Sequence, residues 1–295
     1  MIVSASYRTD IPAFYGEWFR NRFHAGSCRV ANPYGGPAQT VALRDGVDGF
    51  VFWTRNAEPF RTGLAEVRRT GLPFVIQYTV TGYPRALDPS VPEAERACAD
   101  IRALAAAYGP RAVVWRYDPI IGTDLTAADW HADNFARLAD RLAGAVDEVV
   151  VSFAAIYRKT ARNTAAAARR HGFSWGDPDP KDKRRLLARL AVVAAARGMA
   201  LTVCSQPDLL APGVAGARCV DAGRLADVAG GAFAARPKGN RPGCLCHESR
   251  DIGAYDTCLH GCVYCYAVAG REAARRRHAG HDPAGEYLIG PAYTS

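Results

Sequence analysis

The sequence predicts an α/β fold in which repeated strand–helix units build a parallel sheet, either open or closed as a (β/α) barrel. Short β-branched or aromatic runs alternate with longer helical stretches from the first residues onward, and that change of hydrophobic period marks βα units. Units of this length pair in parallel through right-handed crossovers. The size agrees: 295 residues with 49% hydrophobic content supply one barrel-sized core.

Ile2 to Ser6 reads as the first strand, and Asp10 stands where it can cap a helix over Pro12 to Phe23. Gly49 to Thr54 is the second strand, with a helix over Phe60 to Arg69. Phe74 to Val80 is the third, followed by an alanine- and leucine-rich helix over Glu93 to Tyr108. Ala112 to Tyr117 is the fourth, ended by Asp118-Pro119, and its helix covers Ala127 to Leu142. Glu148 to Phe153 is the fifth, with helical stretches at Lys159 to His171 and Lys181 to Arg197. Leu201 to Cys204 is the sixth, and Ala222 to Ala229 a short helix. Gly230 to Pro242, rich in Gly, Pro and basic residues, is the candidate boundary between barrel units over 1–230 and a cysteine-rich segment over 231–295.

The longest apolar runs, such as Leu190 to Ala196, are too short to span a bilayer, and Met1-Ile2-Val3-Ser4 starts a strand rather than a signal peptide. A cytoplasmic protein with no membrane partner is expected. Nine cysteines in such a chain then point to metal or redox chemistry rather than to a disulfide framework. The net charge of +8 is spread along the chain except at Arg271, Arg275, Arg276, Arg277 and His278. A solvated helix face accounts for that stretch, and a nucleic-acid patch is the sharper reading.

The sharpest motif is Cys258-Leu259-His260-Gly261-Cys262-Val263-Tyr264-Cys265. Three thiolates on so short a loop can face one centre, and thiolate is the ligand that iron–sulfur clusters require. Three protein ligands leave one iron of a [4Fe-4S] cluster open, as in an open catalytic metal site. The plainer reading is a zinc knuckle completed by His260 or by a residue outside the loop, although zinc loops favour pairs of cysteines two residues apart. Cys244 and Cys246 form a second pair, which Cys204 and Cys219 can complete to four ligands for a second [4Fe-4S] cluster or a zinc ion. Free thiols or a redox pair are the alternative there. Cys28 and Cys98 read as packing thiols.

C-x3-C-x2-C with an aromatic before its last cysteine, here Cys258, Cys262, Tyr264 and Cys265, resembles the signature of the radical S-adenosylmethionine (SAM) enzymes. From Ser4-Ala5-Ser6-Tyr7-Arg8-Thr9-Asp10-Ile11-Pro12 to these cysteines the chain is also similar to a bacterial family with a radical-SAM-like cluster at its C-terminus. The first resemblance implies that the cysteines hold a [4Fe-4S] cluster whose open iron takes SAM, with Tyr264 near the adenine. It also implies an electron donor such as ferredoxin or flavodoxin. In that superfamily the cysteines follow the first strand, whereas here the other strands come first. A circular permutation reconciles the two, with Ser249 to Tyr255 as the cluster strand, Cys258 to Cys265 as its loop and Tyr266 to His278 as its helix. Under the permutation the SAM amino group falls to the stretch from Ser4 to Asp10, although the Gly-Gly-Glu form usual there is absent.

Active sites of parallel α/β folds form at the carboxyl ends of the strands, where this chain carries Ser4, Ser6, Arg8, Asp10, Thr54, Arg55, Gln77, Arg116, Asp118, Ser152 and Gln206. Ser4, Ser6, Arg8 and Gln77 are the candidates for SAM, and Arg8, Asp10, Arg116 and Asp118 for catalysis, because charges in a barrel mouth must be paired or engaged by ligand. Three functions follow from these readings. The first is a radical SAM enzyme acting on a small molecule. The second is a radical SAM enzyme that repairs nucleic acid or modifies tRNA. The third is a zinc or iron–sulfur redox sensor.

Overall fold

A computed structural model describes residues 1–33, 35–231 and 234–290. Eight of its strands form one sheet: β1 Ile2–Ala5, β2 Gly49–Thr54, β3 Phe74–Thr79, β4 Val113–Ile120, β5 Glu148–Phe153, β6 Ala200–Val203, β7 Ala215–Gly216 and β8 Ser249–Asp251. They lie in the order β7-β6-β5-β4-β3-β2-β1-β8, and all neighbours are parallel. Seven strands thus follow chain order, while β8 returns to lie beside β1, from Ile2↔Ser249 to Ser4↔Asp251. Residues 232 and 233 of the Gly230 to Pro242 loop, and 291–295 of the C-terminal segment, lie outside the described residues.

Strand alternation divides the sheet into two faces. Val3, Phe50, Phe52, Ile76, Trp115 and Val151 meet helix residues such as Trp18, Phe19, Leu64, Ile101, Phe135 and Leu190 in the main core. Phe50 and Phe52 stack at 5.6 Å and meet Phe19 edge-on at 5.6 and 5.3 Å, each such pair contributing about 0.5–1.5 kcal/mol beyond its buried area. Ile2, Val51, Val75, Val114 and Val150 make a smaller cluster on the other face with Leu225, Cys219 and Cys246. Two residues further along each strand this second face turns polar, at Ser4, Trp53, Gln77, Arg116 and Ser152.

The helices match the periodicity closely: Arg61–Arg69, Ala94–Tyr108, Ala128–Leu142, Arg158–His171, Pro180–Ala195 and Ala222–Ala229. The expected first helix is two helices, Ile11–Phe14 and Gly16–Ala25, because Tyr15 between them leaves helical geometry at φ −134°. Asp10 caps the first as expected, its Oδ1 accepting from the Ala13 amide at 3.0 Å. The strand before the cysteine loop is shorter than its sequence run: after Ile252 N donates to Ser4 O at 3.0 Å, the Gly253 amide turns to the Asp251 carboxylate and pairing ends. The following helix starts at Arg271 rather than Tyr266, since the backbone before it is spent on the cysteine loop. Asp256 N, for instance, donates to Ala267 O at 3.0 Å. The sequence pattern did not reveal the hairpin of Ser27–Val30 with Gln39–Ala42 or the ribbon of Gly122–Thr123 with Trp175–Gly176. Among the described residues no helix is long and apolar enough to cross a membrane.

Candidate functional site

The Cys258 to Cys265 loop leaves the carboxyl end of β8 and is gripped by the first ninety residues of the chain and by the Arg158–His171 helix. Tyr15 Oη donates to Thr257 O at 2.8 Å, Val263 N to Leu87 O at 3.1 Å and Thr160 Oγ1 to Tyr264 O at 3.3 Å. Gly261 turns the loop in the left-handed region at φ 73°, where a side chain is strained. His260 Nε2 donates to Asp10 Oδ2 at 2.8 Å, and the ring packs on Phe14 at 4.7 Å. His260 is therefore a fastener of the loop, engaged by Asp10.

Cys258, Cys262 and Cys265 are half-buried neighbours. Burial pushes all three thiols up, and Cys262 is raised further by Asp88 and by each of the other two cysteines. Thiols so placed resist ionisation until a cation compensates them. Partial compensation is already built in: Arg55 acts to lower Cys262 and Cys265, and Ala267 N donates to Cys265 Sγ at 3.4 Å.

A buried ionic chain supports this loop. Arg55 Nη1 meets Asp88 Oδ2 at 2.7 Å, and Tyr264 Oη, accepting from Arg55 Nη2 at 2.7 Å, donates to Asp88 Oδ1 at 2.7 Å. Asp88 is fully buried. Burial opposes both charges, but each partner overrides it, so Arg55 lies well above its ordinary value and Asp88 below. The Arg55 amide donates to Asp10 Oδ2 at 2.7 Å, which ties this chain to His260. Tyr264, the aromatic of the motif, thus has its hydroxyl engaged by the Arg55–Asp88 pair and its ring against Tyr83 at 5.7 Å.

Asp251, the last residue of β8, is a second hub that the sequence reading missed. Its Oδ1 accepts from Ser6 Oγ at 2.7 Å, Arg8 Nε at 2.9 Å and Gly253 N at 3.0 Å; its Oδ2 accepts from Ser4 Oγ at 2.9 Å and Tyr7 N at 3.0 Å. A Cβ on Gly253 would lie 2.1 Å from Ser6 Oγ, so the close approach needs glycine. Arg8 does not pair with the neighbouring candidate Asp10. Its partner is Asp251, because Asp10 is occupied by its helix cap, the Arg55 amide and His260. Ser4, Ser6 and Arg8 are therefore brought together as predicted, but around a carboxylate of the chain itself.

Arg116 and Asp118 do pair, at 2.6 Å, with Ser152 Oγ donating to the other Asp118 oxygen. Arg116 also lies 5.0 Å over the Trp53 ring and donates to Gln77 Oε1 at 3.1 Å and Cys219 Sγ at 3.0 Å. Gln77 Nε2 donates to Cys219 O at 2.9 Å, so both ends of that amide are used. Cys219 Sγ stands 3.6 Å from Cys204 Sγ, bringing the predicted second cysteine set onto the same face. Cys28 and Cys98 are core thiols as expected, 1% and 2% exposed. A separate cleft of ≈ 580 Å³, bordered by Thr123, His131, Trp175 and Arg189, includes no residue of the cysteine loop.

Among the described residues no three His, Cys, Asp or Glu side chains stand ready around the point of a single metal ion. A four-iron cluster makes a different demand, since each thiolate goes to its own iron. Three adjacent half-buried thiols with cationic and amide compensation fit that donor requirement.

These features define an α/β protein with a parallel eight-stranded sheet and a cysteine loop at the carboxyl end of its last strand. The chain belongs to the family described as a domain of unknown function (DUF1848), whose model matches residues 2–267. The match takes in the three cysteines and stops before the Arg271–Ala279 helix. Comparison with curated proteins and with solved structures returned no match.

Proposed function

We propose that the protein is a radical SAM enzyme built on a permuted (β/α) barrel. One observation carries the reading: three neighbouring cysteines, spaced x3 and x2, follow a strand that pairs in parallel with β1 at Ile2↔Ser249. Strand order supports the permutation. If β7 and β8 closed the sheet, β8 would be the first strand of a barrel and β1 the second. Cys258, Cys262 and Cys265 would hold the cluster. When bound, such a cluster supplies one electron to the sulfonium of SAM, releasing methionine and a 5′-deoxyadenosyl radical that takes a hydrogen atom from the substrate.

The chain's own residues would bind, orient and exclude water. Arg55 would offset the charge of the ligated thiolates from its buried position beside Asp88. Thr9 Oγ1 is buried without a hydrogen-bond partner, an arrangement that costs about 1–3 kcal/mol and that a polar group of SAM would relieve. Arg116, Asp118 and Trp53, grouped on the polar face, would meet a small-molecule substrate. Anaerobic reconstitution with iron, sulfide, SAM and dithionite should yield 5′-deoxyadenosine, and alanine at Cys258, Cys262 or Cys265 should abolish it. Undiminished cleavage in those variants, or none in the parent, would overturn the proposal.

A nucleic-acid substrate is the second reading. It is favoured by the exposed Tyr157 and Tyr266, 6.3 Å apart, since aromatic platforms beside basic residues stack bases. Steeply salt-dependent tRNA or DNA binding would support it.

A further inference from the structure

We propose that Cys204, Cys219, Cys244 and Cys246 form a second, separate centre that holds one tetrahedral thiophilic ion of the zinc type. Three segments distant in sequence deliver these residues. Cys204 follows β6, Cys219 precedes the Ala222–Ala229 helix, and Cys244 and Cys246 lie on the loop before β8. Cys219 and Cys246 are 2% and 3% exposed, on the face shared with Val114 and Val150. A loop has no packing need to carry its own thiols there.

One contact has the scale of a metal site. Cys204 Sγ and Cys219 Sγ are 3.6 Å apart, and a tetrahedron with Zn–S bonds of ~2.3 Å has edges of about 3.8 Å. Cys246 continues the string, electrostatically coupled to Cys219 on one side and to Cys244 on the other. Drawing the ends inward needs rotation of Cys204 and the half-buried Cys244 about their side-chain bonds. Four thiolates around one divalent ion make a site with two net negative charges.

Two guanidiniums already face the sulfurs. Arg116 Nη1 lies 3.0 Å from Cys219 Sγ and Arg241 Nη2 3.6 Å from Cys204 Sγ, while Val220 N donates to Cys246 Sγ at 3.3 Å. Donors aimed at sulfur are the outer-shell arrangement that tunes thiolate metal sites. The loop is fitted to its position: a Cβ on Gly239 would lie 2.4 Å from Cys244 O, and Gly243 turns at φ 73° against Pro207.

The test uses the full chain carrying alanine at Cys258, Cys262 and Cys265, which removes the proposed cluster and makes the two ideas independent. Metal-free protein titrated anaerobically with Co2+ should take up a single equivalent with the intense d–d and charge-transfer bands of a tetrahedral thiolate complex. Zn2+ should displace it. Adding Cys219→Ala, or the milder Cys244→Ser at the half-buried position, should weaken Co2+ binding at least tenfold with an unchanged circular dichroism spectrum. The proposal is overturned by octahedral or no Co2+ binding, by binding that survives both variants, by a Cys204–Cys219 disulfide in protein kept anaerobic, or by an iron–sulfur chromophore at these four cysteines.

Discussion

Asp251→Asn tests whether the hub at the end of β8 holds the mouth together. The carboxylate accepts five hydrogen bonds and pairs with Arg8, the two side chains being 3% and 9% exposed. An amide keeps one acceptor oxygen. If it faces Ser6, Arg8 and Gly253, the new NH2 group confronts Ser4 Oγ and Tyr7 N, which are both donors. Removing one partner of a buried ion pair costs about 3–5 kcal/mol, and for a chain of this size that lowers Tm by on the order of 10 °C. Arg8→Met alone should cost less, since Asp251 keeps Ser4, Ser6, Tyr7 and Gly253 as donors. Thermal unfolding and urea titration of both single variants and the double variant give the coupling, expected near 2 kcal/mol or more. A D251N variant within about 1 kcal/mol of the parent, or an additive double variant, would refute the reasoning.

Two further outcomes rest on titration. Asp88 is held below its ordinary value by Arg55 against the opposing effect of burial, so its contribution to stability is present above the unfolded value of about 4 and lost as pH falls through the lower folded value. Urea unfolding from neutral to acid pH should lose stability more steeply in the parent than in Asp88→Asn, and equal slopes would contradict this. In metal-free protein the Cys244 thiol is pulled down to about 5, chiefly by its hydrogen bond with Cys246, whereas burial pushes Cys28 up to about 12 and Cys98 to about 11. Brief alkylation just below neutral pH with peptide mapping should label Cys244 well before Cys28 or Cys98, and the reverse order would be the contrary result.

Much of the fold was legible because its strands are amphipathic in a simple way. Phe50 and Phe52 alternate with Val51 and Trp53, and the period of two is visible in the sequence. β7 has two residues and the ribbon strands at Gly122–Thr123 and Trp175–Gly176 two each, too few to carry a period. The cysteines were legible as donors because thiols at fixed spacing have few other uses. Asp88 and Asp251 were not. Each is one carboxylate in an unremarkable local context, and its meaning comes from partners such as Arg55 and Arg8, 33 and 243 residues away. The same reason keeps the partner of Arg8 out of sight: Asp10 is near it along the chain, but its helix cap claims that aspartate.

Four of the hydrogen bonds that fix the cysteine loop join residues 176 to 259 positions apart: Tyr264 to Asp88, Tyr15 to Thr257, His260 to Asp10 and Tyr266 to Tyr7. Contacts of such separation work against the loop-closure entropy of the chain between them, and the loop takes its shape on a surface supplied by the segments that follow β1, β2 and β3. Asp10, Arg55 and Asp88 can therefore govern the geometry of Cys258, Cys262 and Cys265 without touching a substrate. Loss of SAM cleavage on their replacement would not mark them as catalytic residues. The distinction lies in the cluster itself: a positioning residue should change its assembly or its spectrum along with activity, whereas a group that meets only the substrate, for which Asp118 is the better candidate, should leave both intact.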